Sequence, residues 1–203
     1  MYKKKELQYS YDALEPFIDT HTMGVHYNKH YLNYLKNLNN ILAKYNYQEN
    51  YSKVELLRHL DMFKENDIEN LLFNLGGVIN HELYWNSISD KGNTQPIREI
   101  KEAIMSKYGS YDNFKQQFTD SAMALKGSGY TFLVINPDND LEIISMSNQL
   151  TPYLNNYYPV MTIDMWEHAY YLNYQNNKKL YIENFFDILD FEKINDKYIE
   201  YKK

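Results

Sequence analysis

Any chemistry in this sequence has to be organised around histidine, because there are six histidines and no cysteine. Disulfides, thiolate nucleophiles and thiolate metal sites are therefore excluded. A bound metal would be held by imidazole nitrogen and carboxylate oxygen, a donor set that suits iron, manganese or zinc. His26, His30 and Tyr34 are spaced four residues apart, so a helix would carry all three along one face. Leucines flank them, and a polar stripe on a packed helix is costly unless each group finds a partner. Taken alone, the stripe reads most simply as a hydrogen-bonded network or an exposed face.

His81 follows Gly76-Gly77 in an otherwise helical pattern, and glycine there costs stability relative to alanine. Gly77 is four residues before His81 and so lies one turn away on the same face. Either a bulky group needs room beside the imidazole, or two helices pack closely through the glycines. The third element is Asp164-Met165-Trp166-Glu167-His168-Ala169-Tyr170-Tyr171. A strand-like run ends at Asp164 and a helix begins near His168, which can aim a carboxylate and an imidazole at one point. Three imidazoles and one carboxylate carry a ligand charge of about −1. That suits divalent and trivalent iron or manganese, although donor type alone does not separate zinc. A hydrolase built on these ligands would need a general base beside the bound water, in addition to the ligands themselves.

The elements that must position these residues fall into two patterns. From about Tyr11 to Ser87 the period is helical, with Leu32, Leu35, Leu38, Ile41 and Leu42 at three- and four-residue spacing. Ser52 with Glu55 reads as a capping box for a short helix over Val54–Phe63, and a further helix is predicted over Ile68–Trp85. A polar Gly/Pro segment, residues 89–96, forms a linker. Helices are predicted over Pro96–Tyr108, with the proline in the first turn, and over Tyr111–Leu125, with Ser110 as N-cap. The period then changes to strands over Tyr130–Ile135, Leu141–Ser147 and Pro159–Ile163, with a hairpin-like loop over 136–140. The expectation is an α+β protein. A helical hairpin domain (1–88) precedes a C-terminal domain (93–203) with a three-stranded antiparallel sheet and helices.

A net charge of −6 argues against a nucleic-acid partner. Nothing is long and apolar enough to cross a membrane. Basic residues at 3–5 are not followed by an apolar stretch, so a cytoplasmic, unprocessed protein is expected.

The string from Asp164 to Tyr171 resembles the signature of iron/manganese superoxide dismutases. Further similar stretches occur in the same order: residues 11–16, His26 to Asn37, Asn80-His81 with Tyr84-Trp85, Gly127-Ser128-Gly129 and Asn148-Gln149. The resemblance implies a superoxide dismutase with one manganese per chain, iron being the alternative, held by His26, His81, Asp164 and His168. It implies a proton relay through Tyr34, with His30 beside it and Gln149 supplying the amide that faces coordinated solvent. Glutamine in the hairpin region with Gly77 at the alternative helix position points to the manganese-using branch, and Gly77 would leave room for that amide.

The resemblance also implies a homodimer, with a tetramer as the alternative. Glu167 and Tyr171 would reach across to the partner's site, and Ser128 would lie near the interface. Trp166 would wall the pocket, and Lys29 and Lys178 would steer the superoxide anion toward it. Two departures stand out: Tyr130 occupies a position that usually carries an indole, and Asn177 one that usually carries an arginine. A structural or metal-binding homologue with impaired turnover is the competing expectation.

Overall fold

The structure is a computed structural model and describes residues 1–202. Its N-terminal part is helical. Helix α1 (Thr20–Val25) is capped by Asp19, whose side chain accepts from Thr22 N at 2.6 Å. It runs into a π-helical turn, His26–Tyr31, and then into α2 (Leu32–Lys44). The helical course thus starts at Thr20, not near Tyr11. Residues 11–17 form turns, and Pro16 among them has no N–H to continue a helical ladder. The expected regular helix through His26 and His30 is replaced by the wider π turn, a local form often found at functional sites.

The capping box of α3 (Lys53–Leu56) is present: Glu55 N donates to Ser52 Oγ at 3.2 Å and Ser52 N to Glu55 Oε2 at 2.9 Å. The helix does not reach Phe63. Beyond the helix, His59 stacks flat on Tyr51 with ring centroids 3.8 Å apart, and a short 3₁₀ turn follows at Leu60–Met62. Helix α4 (Glu65–Ser87) is buried without a break from Asn74 to His81, so it is surrounded by protein on all sides there. It packs between α2 and the third strand.

Helix α5 spans Arg98–Tyr108. Pro96 stays outside it because Ile97 takes an extended conformation and its carbonyl accepts the first helical bond, from Lys101 N at 3.1 Å. In α6 (Tyr111–Ala124), Ser110 Oγ caps as expected, accepting from Asn113 N at 3.0 Å.

Strands β1 (Gly129–Ile135), β2 (Leu141–Ser147) and β3 (Tyr158–Asp164) form an antiparallel sheet in the order β2-β1-β3. The central strand is buried along its whole length, which explains an apolar and aromatic run interrupted only by Thr131, whose hydroxyl pairs with Ser145 at 2.8 Å. Its register sets Tyr130 opposite Met146 on one side and Asp164 on the other. The ladder slips at Leu133/Val134, where the facing strand carries Pro159 and cannot donate. Helices α7 (Tyr171–Tyr174), α8 (Lys178–Phe185) and α9 (Phe191–Lys202) finish the fold. Among the described residues no helix is long and apolar enough to cross a membrane.

Candidate metal centre

Four residues from three distant parts of the chain meet at one point. The π turn delivers His26, the middle of α4 delivers His81, the end of β3 delivers Asp164, and a 3₁₀ turn (Glu167–Ala169) delivers His168. Their donor atoms all lie within 4.8 Å of one another. The three imidazole Nε2 atoms converge on Asp164 Oδ2, at 3.2 Å from His26, 3.3 Å from His168 and 3.8 Å from His81. His26, His81 and Asp164 are buried, and His168 is 9% exposed.

Each donor is aimed by the residues behind it. His81 Nδ1 lies 2.6 Å from the Gly77 carbonyl, which can only accept, so the proton is on Nδ1 and the Nε2 lone pair faces inward. Asp164 Oδ1 accepts from Trp166 N at 2.8 Å, which leaves Oδ2 for the centre. The Asp164 carbonyl accepts from Tyr181 Oη at 2.9 Å. His26 packs among aromatic rings, with Trp85 at 4.6 Å and Tyr84 at 5.5 Å between centroids. His30 stacks on His168 at 4.1 Å.

Burial holds the imidazoles neutral: it is the main cause that lowers His26 to about 4 and His81 well below the ordinary range. For Asp164, burial alone would favour the protonated form, but His168 and His26 keep the carboxyl well below the usual range. A buried carboxylate facing the neutral imidazoles of His26 and His81 calls for a cation at their meeting point. His26 Nε2 and His81 Nε2 are buried with no hydrogen-bond partner. Orphaned buried nitrogens are rare, and here they point with one carboxylate oxygen at a common centre. The donor set fits manganese or iron.

Above this point stands a second group. Gln149, in the turn after β2, is 2% exposed and donates from Nε2 to Tyr34 Oη at 3.0 Å. Its Oε1 has no partner. Burial, partly opposed by the Gln149 bond, raises the Tyr34 phenol above its ordinary value. The space left by Gly77 is filled by the Tyr34 ring and not by the glutamine amide. A Cβ there would come within 2.6 Å of Tyr34 Cδ1, whereas a Cβ at Gly76 would strike the Gln149 carbonyl oxygen.

Tyr130 is fully buried, and its hydroxyl lies 3.4 Å from His81 Nδ1. Trp166 stacks on His168 at 5.7 Å and donates from Nε1 to the Asn148 carbonyl at 3.2 Å. Phe73, which the sequence did not single out, lies 5.7 Å from Tyr34 and 6.5 Å from Trp166 and is 40% exposed, so it rims the same pocket. Two more contributors had no assigned role. Asn80 Nδ2 donates to the carbonyls of Leu150 (3.1 Å) and Gln149 (3.4 Å), fixing the Gln149 turn, and Tyr181 anchors Asp164. Asn80 had a visible signal, its place beside His81; Tyr181 had none.

The remaining expected residues are spread over the surface around this centre. Glu167 and Lys29 are exposed, Tyr171 is 49% exposed, and Ser128 and Lys178 are half-buried. Lys178 lies over the Tyr170 ring at 6.0 Å. Asn177 caps α8, its side chain accepting from Leu180 N at 3.2 Å, so this departure from the arginine pattern has a local structural use.

Comparison with known proteins agrees with this geometry. Residues 1–89 match the α-hairpin domain of iron/manganese superoxide dismutases, and residues 96–197 match the C-terminal domain of the same enzymes. The chain belongs to the iron/manganese superoxide dismutase family. It is 40% identical to a manganese superoxide dismutase of Listeria monocytogenes, over 97% of both chains. It is 39% identical to the manganese superoxide dismutase of Thermus aquaticus and 38% to that of Thermus thermophilus, over 94% of each chain. The α+β architecture with a three-stranded antiparallel sheet is the one expected from the sequence.

Proposed function

We propose that this chain is a superoxide dismutase that uses manganese, one ion per chain, at the centre formed by His26, His81, Asp164 and His168. The carrying observation is the convergence of three imidazole Nε2 atoms on Asp164 Oδ2, two of them buried without any other partner. Held by these four residues, the ion would supply one-electron redox chemistry between its trivalent and divalent states, by which two superoxide anions and two protons would become dioxygen and hydrogen peroxide.

The chain's own work is to hold the donors, keep the centre dry and supply protons. Tyr34 Oη keeps its proton at neutral pH, is bonded to Gln149 Nε2, and is half-buried, so it joins the interior to solvent. Gln149 Oε1 faces the pocket as an unused acceptor. His30, stacked on His168, holds that imidazole in orientation. Trp166 and Tyr130 close the walls. The protein is acidic overall, so local charge must do any steering, and exposed Lys29 with Lys178 would supply it.

Manganese is favoured over iron by Gln149 lying in the turn after β2, by Gly77 at the helix position, and by the printed names of the relatives. A homodimer is supported by the exposed Glu167 and Tyr171 beside the His168 turn, where a second copy would cover them. The cytoplasm is the expected compartment. Metal analysis of purified protein together with a superoxide-decay assay tests the reading. About one manganese per chain with rapid decay is expected. Full metal occupancy without decay would instead identify an impaired homologue, and activity restored by iron alone would overturn the manganese assignment.

A further inference from the structure

Away from the metal centre, a cleft of about 660 Å³ opens between the α3–α4 side of the molecule and α9. In a chain whose net charge is −6, its lining is notable for four lysines: Lys5, Lys53, Lys193 and Lys197. Two of them have carboxylate partners. Lys53 pairs with Glu82 at 2.9 Å, and Lys193 with Asp190 at 3.3 Å. Among the described residues, Lys5 has no carboxylate within ion-pair distance, and Lys197 donates only to the Tyr158 hydroxyl at 3.2 Å.

The carboxylates that also line the cleft are largely engaged. Glu82 accepts from Tyr31 Oη as well as from Lys53, and Glu200 accepts from Tyr158 Oη at 3.0 Å. Asp196 and Glu200 are both exposed. The ammonium groups sense one another. Lys5 is held below its ordinary value by burial and, against the pull of Glu82, by Lys53 and Lys193. Lys197 is lowered by burial and, against Glu200, by Lys5. Among the described residues, Lys5 and Lys197 thus stand without an ion-pair partner in a cleft whose lining also carries three carboxylates, and a bound anion would supply those two ammonium groups with a partner.

The rest of the wall is mixed: Val54, Ile79, Leu83 and Tyr153 give it apolar surface, and Ser52 and Asn86 add neutral polar groups. The volume lies within the ~300–1,000 Å³ range of small-molecule pockets. Lysines and apolar side chains in one lining suit a molecule with a charged group and an organic body. We propose that this cleft binds a small phosphate monoester of about mononucleotide size, its phosphate held by Lys5, Lys193 and Lys197 and its organic part against Tyr153 and Leu83.

The lysine stems are positioned for this. Lys5 sits in a backbone segment fixed at both of its polar groups: its N–H donates to Tyr31 Oη at 2.7 Å, and its carbonyl accepts from Tyr27 Oη at 2.7 Å. Lys193 and Lys197 are one helical turn apart on α9, on the same face.

Titration calorimetry on the metal-loaded full chain at low ionic strength tests the site, using adenosine monophosphate, inorganic phosphate and adenosine as probes. Adenosine monophosphate is expected to bind with a Kd below about 1 mM and adenosine to give no heat. Inorganic phosphate binding as tightly as the nucleotide would keep the phosphate site and assign it to the free ion. The double variant K5Q/K197Q, checked for an unchanged circular-dichroism spectrum, should weaken binding at least tenfold. The pair K29Q/K178Q, on lysines outside the cleft, should leave it unchanged. No heat from either phosphate probe, or equal binding by K5Q/K197Q, would overturn the proposal, as would loss of binding in K29Q/K178Q. The readout is heat of binding, so it does not depend on superoxide removal.

Discussion

An alanine methyl at Gly77 would meet the Tyr34 ring at Cδ1 and Cγ, while one at Gly76 would meet a backbone carbonyl. Those ring atoms lie next to the Tyr34 Cβ, so the whole side chain must move, and the Gln149 carbonyl is held by Asn80. Both substitutions gain up to ~1 kcal/mol of helix propensity. Each should still cost stability on the scale of the ~1–3 kcal/mol typical of overpacking, with Gly76→Ala the costlier because it meets backbone. Thermal unfolding of the two variants checks the order. Gly77→Ala should also keep its metal and lose superoxide removal, because the displaced phenol leaves Gln149 Nε2. Gly76-Gly77 left two readings in the sequence, room for a bulky group beside His81 or close helix packing, and the resemblance chose the first. It pointed to the glutamine amide, because which ring fills the space depends on where the π turn aims Tyr34. At Tyr130, the nearby His81 Nδ1 already gives its proton to Gly77, so removing the hydroxyl leaves no orphan. Tyr130→Phe should change stability by no more than ~1 kcal/mol and leave metal content intact, as measured by denaturant unfolding and metal analysis.

At the scale of elements, the first ligand depends on how the π turn is tied to its surroundings. Tyr31 receives the Lys5 N–H and donates to Glu82 at 2.9 Å, so one buried phenol joins the N-terminal segment, the π turn and α4. Tyr31→Phe would leave the Lys5 N–H without its acceptor and remove one donor from Glu82, at a cost of ~1–3 kcal/mol. Faster cleavage of the first residues by a protease, with His26 still able to ligate, would show the latch; an unchanged digest would refute it. Strands were legible because β-branched and aromatic runs between turn residues leave few alternatives, and β2 follows its sequence signal end to end. The π turn was not, because a four-residue spacing of polar groups does not distinguish it from an α-helix. The early end of α3 was also hidden, as was the stacking of His59 on Tyr51 that accompanies it.

For the molecule as a whole, the four ligands looked individually ordinary and became one site only through the fold. The resemblance around Asp164 supplied that link before any coordinates did. The structure adds the reason: one carboxylate oxygen is the meeting point of segments that begin 55 and 138 residues apart, counting from His26 to His81 and to Asp164. Glu167 stands exposed beside His168, so if a second copy covers it, Glu167→Ala should weaken both dimerisation and metal retention. Sedimentation with metal analysis decides this, and an unchanged dimer with unchanged metal would refute the cross-subunit role. Metal removal makes a stronger demand on the fold. Without the ion, a buried carboxylate and two unpartnered imidazole nitrogens remain at the junction of the π turn, α4 and β3. A ligand present a thousandfold above its Kd stabilises the state it binds by about 4 kcal/mol. The metal-free protein should therefore unfold at a clearly lower temperature than the loaded one, and loss of amide-exchange protection should be concentrated around His26, His81 and Asp164. Equal melting temperatures would mean that the fold holds these donors together unaided, and that the ion contributes chemistry without contributing stability.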